Sequence, residues 1–222
     1  GRLTPPTVAG GRVYVASIDA HTVHATDAQS GDSLWTFTAG GRVDSPPTLY
    51  RGCAIFGSRD GYVYCLRAAD GACVWRLRAA RADRRLVVNG QLESVWPVAG
   101  SVLIDNGVLY VAAGRSSFLD GGIDLLRVRP DSGELIDRTT VYSPDPETGR
   151  QPRQKDAGYM PGIVADLMSS DDRYVYMRDK IAFVKGAKPS AEHTVRQRLS
   201  GAKRSHLFAL TGFLDDSWPH RS

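Results

Sequence analysis

The sequence predicts an all-β fold, a β-propeller built from four-stranded antiparallel blades. Three observations carry this expectation. An eleven-residue pattern running from Ala25 to Trp35 returns from Cys65 to Trp75, with Gly31 and Trp35 in register with Gly71 and Trp75, 40 residues on. Self-similarity at about 40 to 45 residues is the length of one propeller blade. Short segments alternate with a period of two, as Val13, Val15 and Ser17 do against Tyr14 and Ala16, which is the pattern of a strand. Neither of the first two repeats contains a segment with helical periodicity.

The elements follow in order. Thr7-Val8 is a short inner strand after Pro5-Pro6, and Ala9-Gly10-Gly11 turns into Arg12 to Ser17. Thr22 to Thr26 is the third strand, Asp27 to Asp32 the loop and Ser33 to Thr38 the outer strand. The second repeat starts at Pro46-Pro47-Thr48-Leu49 and turns at Arg51-Gly52. It continues through Cys53 to Gly57, Tyr62 to Arg67 and Cys73 to Arg78, with Asp60-Gly61 as a hairpin dipeptide. A third, stretched repeat uses Val102 to Ile104, the Asp105-Asn106-Gly107 turn, Val108 to Ala113 and Ile123 to Val128. Gly133 stands in the repeat position there, and Asp137 stands where the Trp should be. Ile163 to Asp166, Tyr174 to Arg178, Ile181 to Val184 and His206 to Leu210 read as a fourth, irregular blade.

The expected blades are therefore about 5–40, 45–80, 96–140 and 160–218, with insertions at 79–94, 115–122, 143–162 and 185–205. The four are too unequal to close a ring by themselves. The expectation is one partial propeller domain, part of a ring of seven or eight blades, with the remaining blades as its partners. Residues 1–222 alone are then expected to be poorly soluble or to associate.

Composition narrows the function. A net charge of +4 implies no nucleic-acid partner by itself. The excess is local: Lys185, Lys188, Arg196, Arg198, Lys203 and Arg204 face one acidic residue, Glu192. No aromatic residue interleaves that run to stack a base. No apolar run approaches the roughly 18 residues of a membrane span. Cys53, Cys65 and Cys73 are an odd number without metal spacing, and they read as small buried hydrophobes, with Cys65 and Cys73 facing Val74 and Leu66.

The repeated pattern has a mechanical reading. Gly31 and Gly71 supply a turn with positive φ, Asp27 caps it, and Trp35 and Trp75 wedge between neighbouring blades. Ala25, Asp27, Gly31 and Trp35 in the first copy resemble the tryptophan-docking motif of the pyrroloquinoline-quinone-type repeat family, the propellers related to quinoprotein alcohol dehydrogenases. The second copy keeps Gly71 and Trp75 but has Arg67 for the Asp, and the third keeps Gly133. Trp96-Pro97-Val98, Ala112 to Arg115, Tyr174 to Arg178 and Thr211 to Trp218 resemble a subgroup of large bacterial proteins of this repeat class.

The resemblance implies a propeller, a bacterial source and export to the periplasm or cell envelope. It does not by itself imply the cofactor. Working dehydrogenases of this type carry a vicinal disulfide, a stacked Trp and a Ca²⁺ ligand set beside a catalytic Asp, and this sequence has no adjacent Cys pair. The leading expectation is a non-catalytic scaffold that binds a ligand or protein at the mouth of the channel, with no cofactor. One alternative is part of a quinone- and Ca²⁺-dependent alcohol or sugar dehydrogenase. Another is a sensor propeller fused to a separate catalytic or signalling domain.

The sharpest candidate site is the insertion Gly114 to Gly122. Arg115 offers a planar fork to a carboxylate or phosphate, and Asp120 offers a carboxylate to a cation or hydroxyl. The structural alternative is an Arg–Asp pair that pins the loop to itself. Asp215, Asp216 and His220 match no metal spacing. His193 and His206 read as solvent-exposed or hydrogen-bonded, Asp166 and Asp171-Asp172 as turn residues, and Gly10-Gly11 and Gly40-Gly41 as hairpin turns. No catalytic residue and no metal ligand set is expected.

Overall fold

The computed structural model describes residues 1–142, 144, 147–148, 167–177 and 180–185. These form an all-β arc of propeller blades. Blade 1 is β1 (Thr7–Ala9), β2 (Arg12–Ser17), β3 (Thr22–Asp27) and β4 (Ser33–Thr38). Blade 2 is β5 (Thr48–Tyr50), β6 (Cys53–Gly57), β7 (Tyr62–Arg67) and β8 (Cys73–Arg78). A separate two-stranded hairpin follows, β9 (Arg85–Val88) and β10 (Gln91–Ser94). Blade 3 is β11 (Leu103–Asp105), β12 (Val108–Ala113), β13 (Ile123–Val128) and β14 (Leu135–Val141). A three-stranded sheet of β15 (Met168–Ser170), β16 (Tyr174–Met177) and β17 (Lys180–Val184) comes last. Every blade is an antiparallel meander in sequence order. The segments 163–166 and 206–210, and the residues Asp166, His193, His206, Asp215, Asp216 and His220, lie outside the described residues.

The blades stack face to face, and each interface is its own apolar core. Tyr14, Val23, Ala25 and Trp35 of blade 1 meet Phe56, Tyr64 and Leu66 of blade 2. Ile55, Val63 and Cys65 of blade 2 meet Leu109, Val111, Leu126 and Val128 of blade 3. Tyr110, Leu125 and Val141 meet Met168, Val175, Met177 and Phe183. Blade 2 is covered on both faces, so Ala54–Gly57 and Val63–Leu66 are continuously buried rather than alternating. The first strands approach one another, β1 against β5 and β5 against β11, which places them innermost. A threonine stitches this inner edge: Thr7 Oγ1 donates to Pro47 O at 2.9 Å and Thr48 Oγ1 to Val102 O at 2.8 Å. Both threonines close a Pro-Pro-Thr triplet.

The inner hairpins turn through two consecutive residues of positive φ: Gly10-Gly11, Arg51-Gly52 and Asn106-Gly107. This is the turn whose twist suits a tight hairpin. Arg51 occupies the left-handed region at φ 44°, where the crowding of a Cβ against the following carbonyl costs roughly 1–2 kcal/mol. Arg51→Asn should raise stability by about 0.5–1 kcal/mol, read as a higher denaturant midpoint at unchanged slope. A lower midpoint would mean that its contacts with Tyr50 and Asp131 outweigh the strain.

Two sequence expectations need correction. Gly40-Gly41 is not a hairpin turn. Neither residue has positive φ, and both lie in the passage from β4 to β5. A Cβ on Gly40 would stand 2.5 Å from Asp60 Oδ2, and one on Gly41 2.6 Å from Asp60 N. The glycines are there for close approach. The cysteines are also not uniformly buried: Cys65 is buried, Cys53 intermediate and Cys73 exposed. A bulge between Cys65 and Leu66 sets Cys65 opposite Trp75, while Leu66 remains opposite Cys73. The bulge aims the Trp at the next blade and leaves Cys73 on the outside.

Candidate functional site at the variable rim

The meander decides which connections share an end. The first and third connections of each blade lie on one rim. The second connections, and the passages to the next blade, lie on the other.

The first of these is a docking rim, and the repeated pattern builds it. Asp27 Oδ1 accepts the backbone N–H groups of Ser30 at 2.8 Å and Gln29 at 2.9 Å. Gly31, Gly71 and Gly133 all have positive φ. The Trp35 ring lies on Gly71, where a Cβ would come within 2.7 Å of its Cδ2, and its Nε1 donates to Ala68 O at 3.0 Å. Trp75 repeats this on Gly133 at 2.7 Å and donates to Pro130 O at 2.9 Å. Each Trp thus docks on the glycine loop of the following blade. Ala25 and Cys65 stand opposite these tryptophans. In blade 3 the same slot holds an ion pair, Arg127 opposite Asp137, with Arg127 Nε 2.8 Å from Asp137 Oδ2. Side-chain chemistry changes there while the register is kept.

The Asp27 carboxyl is held below its ordinary range, first by the Ser30 N–H and then by that of Gln29. A lowered carboxyl contributes stability above the unfolded-state pKa and loses it as pH falls through the folded one. Asp27→Asn keeps an acceptor but removes the titration. The Tm difference between wild type and Asp27→Asn should therefore shrink on acidification below about pH 4. A difference constant from pH 6 to the acid limit would show that the charge does nothing there.

The variable rim holds both described insertions and most of the buried charge. Asp124 on β13 is fully buried. It accepts Arg81 Nη2 at 2.7 Å, Arg81 Nε at 2.9 Å and Thr140 Oγ1 at 2.7 Å, with Arg138 Nη1 at 3.5 Å. The bond to Asp124 holds the Arg81 pKa above its ordinary value. Arg81 also donates to Gly121 O at 3.0 Å, which ties the 114–122 loop to blade 2.

Within that loop Arg115 Nη2 and Asp120 Oδ2 are 2.6 Å apart. Asp120 sits in the left-handed region at φ 54°, followed by Gly121 and Gly122, also at positive φ. Its carbonyl accepts Trp96 Nε1 at 2.9 Å. The guanidinium groups of Arg81 and Arg84 each lie 5.8 Å from the Trp96 ring centre. Arg115 Nε is buried without a hydrogen-bond partner. Arg84 is exposed and makes no ion pair among the described residues. Arg84 is therefore an exposed guanidinium on this rim that no carboxylate among the described residues takes.

A second network anchors the 85–94 hairpin. Glu93, fully buried, takes Arg42 Nη2 at 2.8 Å and Arg59 Nη1 at 3.0 Å, and Asp44 pairs with Arg59. Burial opposes the Arg59 charge, but the two carboxylates outweigh it and hold its pKa above the usual value. Gln91 reaches His21 Nε2 at 3.0 Å, and Ser94 N donates to Arg59 O at 2.7 Å.

Among the described residues no three His, Cys, Asp or Glu side chains are grouped to hold a metal ion. Cys53, Cys65 and Cys73 stand on the neighbouring strands β6, β7 and β8, and no two are consecutive in sequence. No helix among the described residues is long and apolar enough to cross a membrane.

Sequence reasoning singled out Arg115 and Asp120, and the structure places them in one ion pair. It did not find Arg81, Trp96, Glu93 or Asp124 as members of the rim. One signal was available: Asn89-Gly90 between Leu86-Val87-Val88 and Leu92 is a hairpin dipeptide of the strongest kind.

A family model described as outer membrane protein assembly factor BamB matches residues 1–201. The chain belongs to this family. A curated relative, the outer membrane protein assembly factor BamB of Moranella endobia (strain PCIT), is 35% identical over 69 residues. That match covers 31% of this chain and 18% of the relative. Among solved structures, BamB from Moraxella catarrhalis superposes with a TM-score of 0.50 at 17% identity, over 77% of this chain and 44% of that one. The quinohemoprotein alcohol dehydrogenase of Comamonas testosteroni gives 0.50 at 23% identity, over 64% and 21%. A europium-containing methanol dehydrogenase gives 0.51 at 18% identity, over 66% and 26%. These three likenesses show the fold. The chain spans well under half the length of most of these relatives.

Proposed function

We propose that this member of the BamB family is a non-catalytic scaffold of the bacterial cell envelope that binds a protein partner through the variable rim. An extracytoplasmic location goes with the family. The observation that carries the reading is the difference between the rims. The docking rim spends its repeated residues on holding blade to blade. The variable rim carries the hairpin, the 114–122 loop and the exposed guanidinium of Arg84, which no carboxylate among the described residues takes. Arg115 and Asp120 then serve as contact residues at the edge of the partner site. The relatives are named for outer-membrane protein assembly, a role that a binding platform would serve.

Photo-crosslinking in cells tests this. A crosslinking side chain at Leu119, which is 50% exposed on the variable rim, should give a discrete protein adduct. The same group at Asp32 on the docking rim should give none. Equal labelling of both positions would remove the distinction between the rims. Reduction of an artificial dye by the protein with pyrroloquinoline quinone, Ca²⁺ and an alcohol would replace the scaffold with a dehydrogenase.

A further inference from the structure

The 85–94 hairpin is asymmetric. Its polar ties run through β10: Gln91 to His21, Glu93 to Arg42 and Arg59, and Ser94 N to Arg59 O. Leu86 of β9 packs inward against the cluster of Ala80, Val95 and Trp96. The outer edge of β9 has no backbone partner among the described residues.

Register shows which groups that edge presents. Asn89 and Gly90, at φ 50° and 76°, form a two-residue turn closed by the pair Val88 and Gln91. Hydrogen-bonded and non-hydrogen-bonded pairs alternate along an antiparallel ladder. Val88 and Leu86 therefore bond to β10, while Val87 and Arg85 turn their N–H and C=O groups outward. The Ser94 N–H, opposite Arg85, points away from β9 to Arg59 O, as the same alternation requires. Val87 is also 70% exposed, directly across from Leu92 at 50%. An edge unpaired among the described residues, beside an exposed apolar pair and on a hairpin pinned from its other side, is a template for one more strand.

We propose that the β9 edge of residues 85–88 is a docking site for an extended segment of a protein partner, bound as an added strand, with apolar side chains beside Val87 on one face and acidic ones on the other face, beside Arg84. This rests on the scaffold reading and names the chemistry of its partner. Charge selects the occupant. Arg84 makes no ion pair among the described residues, and Arg85 is paired only with the exposed Asp83. Two copies of this edge would set arginine against arginine, which disfavours self-pairing, whereas an acidic strand is attracted.

The test uses the whole chain and three blocked eight-residue peptides. One alternates valine with glutamate, one alternates valine with lysine, and the third is the glutamate peptide N-methylated at alternate residues. The glutamate peptide should bind at least tenfold more tightly than either other peptide and should slow amide hydrogen exchange at 85–88. Val87→Lys should weaken it about tenfold, and Arg84→Glu by a similar factor; neither residue takes part in the ion pairs that hold the rim. Three results would overturn the proposal: equal binding of the lysine peptide, indifference to N-methylation, or protection outside 85–88. Dimerisation in the ultracentrifuge that Val87→Lys abolishes would make the occupant a second copy and overturn it too. If the Leu119 adduct persists in cells carrying Val87→Lys, the scaffold reading stands and strand addition fails.

Discussion

Trp35→Ala should destabilise the protein by about 3–5 kcal/mol, the range for removing a large buried aromatic side chain. Trp35 is 8% exposed and its ring centre lies 5.9 Å from that of Tyr14. Truncation empties the space above Gly71 and leaves Ala68 O without its indole donor. The loss falls on one interface, between blades 1 and 2. Stacked repeats gain stability from neighbour interfaces, so blade 1 should open first while the core between blades 2 and 3 holds. Hydrogen exchange resolved along the chain reads this directly: amides of β2 and β3 should lose protection before those of β12 and β13. Uniform loss across all blades would show that the blades unfold as one unit. The reciprocal change, Gly71→Ala, pushes a Cβ into the same ring from a residue at φ +74° and should damage the same interface.

Asp124→Ala should cost a similar amount, about 3–5 kcal/mol, because it strands charges instead of leaving a cavity. The carboxylate is fully buried between Arg81, Arg138 and Thr140. Without it, two partly buried guanidinium groups lose their counter-charge. The effect should also reach the candidate site. Arg81 holds the 114–122 loop through Gly121 O, so exchange protection at Gly122 should fall along with the unfolding free energy. Asp124→Asn, which keeps one acceptor oxygen but sets an N–H donor against the guanidinium donors in place of the other, should retain only a small part of both. A loss below about 1 kcal/mol for the alanine variant would mean that the arginines find new partners or water, as surface pairs do.

The blade architecture was legible in the sequence because it rests on local, periodic chemistry. Asn106-Gly107 favours a tight turn by its own backbone preferences, and Gly31 and Gly71 mark turns of positive φ. The strands Cys53–Gly57, Tyr62–Arg67 and Cys73–Arg78 fall where the repeat and its turn residues place them. Gly40-Gly41 shows the limit of that approach. A glycine pair looks the same whether it serves a turn or the close approach of Asp60, and only the packed neighbour tells which.

The rim depended on contacts distant in sequence. Arg81 meets Asp124 across 43 residues, Arg59 meets Glu93 across 34, and Gln91 reaches His21 across 70. No period relates these pairs, and each arginine reads alone as a solvated charge. What the sequence by itself determined is the repeating unit, its turns and the tryptophan that joins one unit to the next, because those follow from backbone conformation and spacing. What only the tertiary structure decided is which charges are buried together and which strand edge is left unpaired among the described residues. Those properties arise when blades and insertions pack side by side, and desolvation then makes a pair such as Glu93 with Arg42 matter.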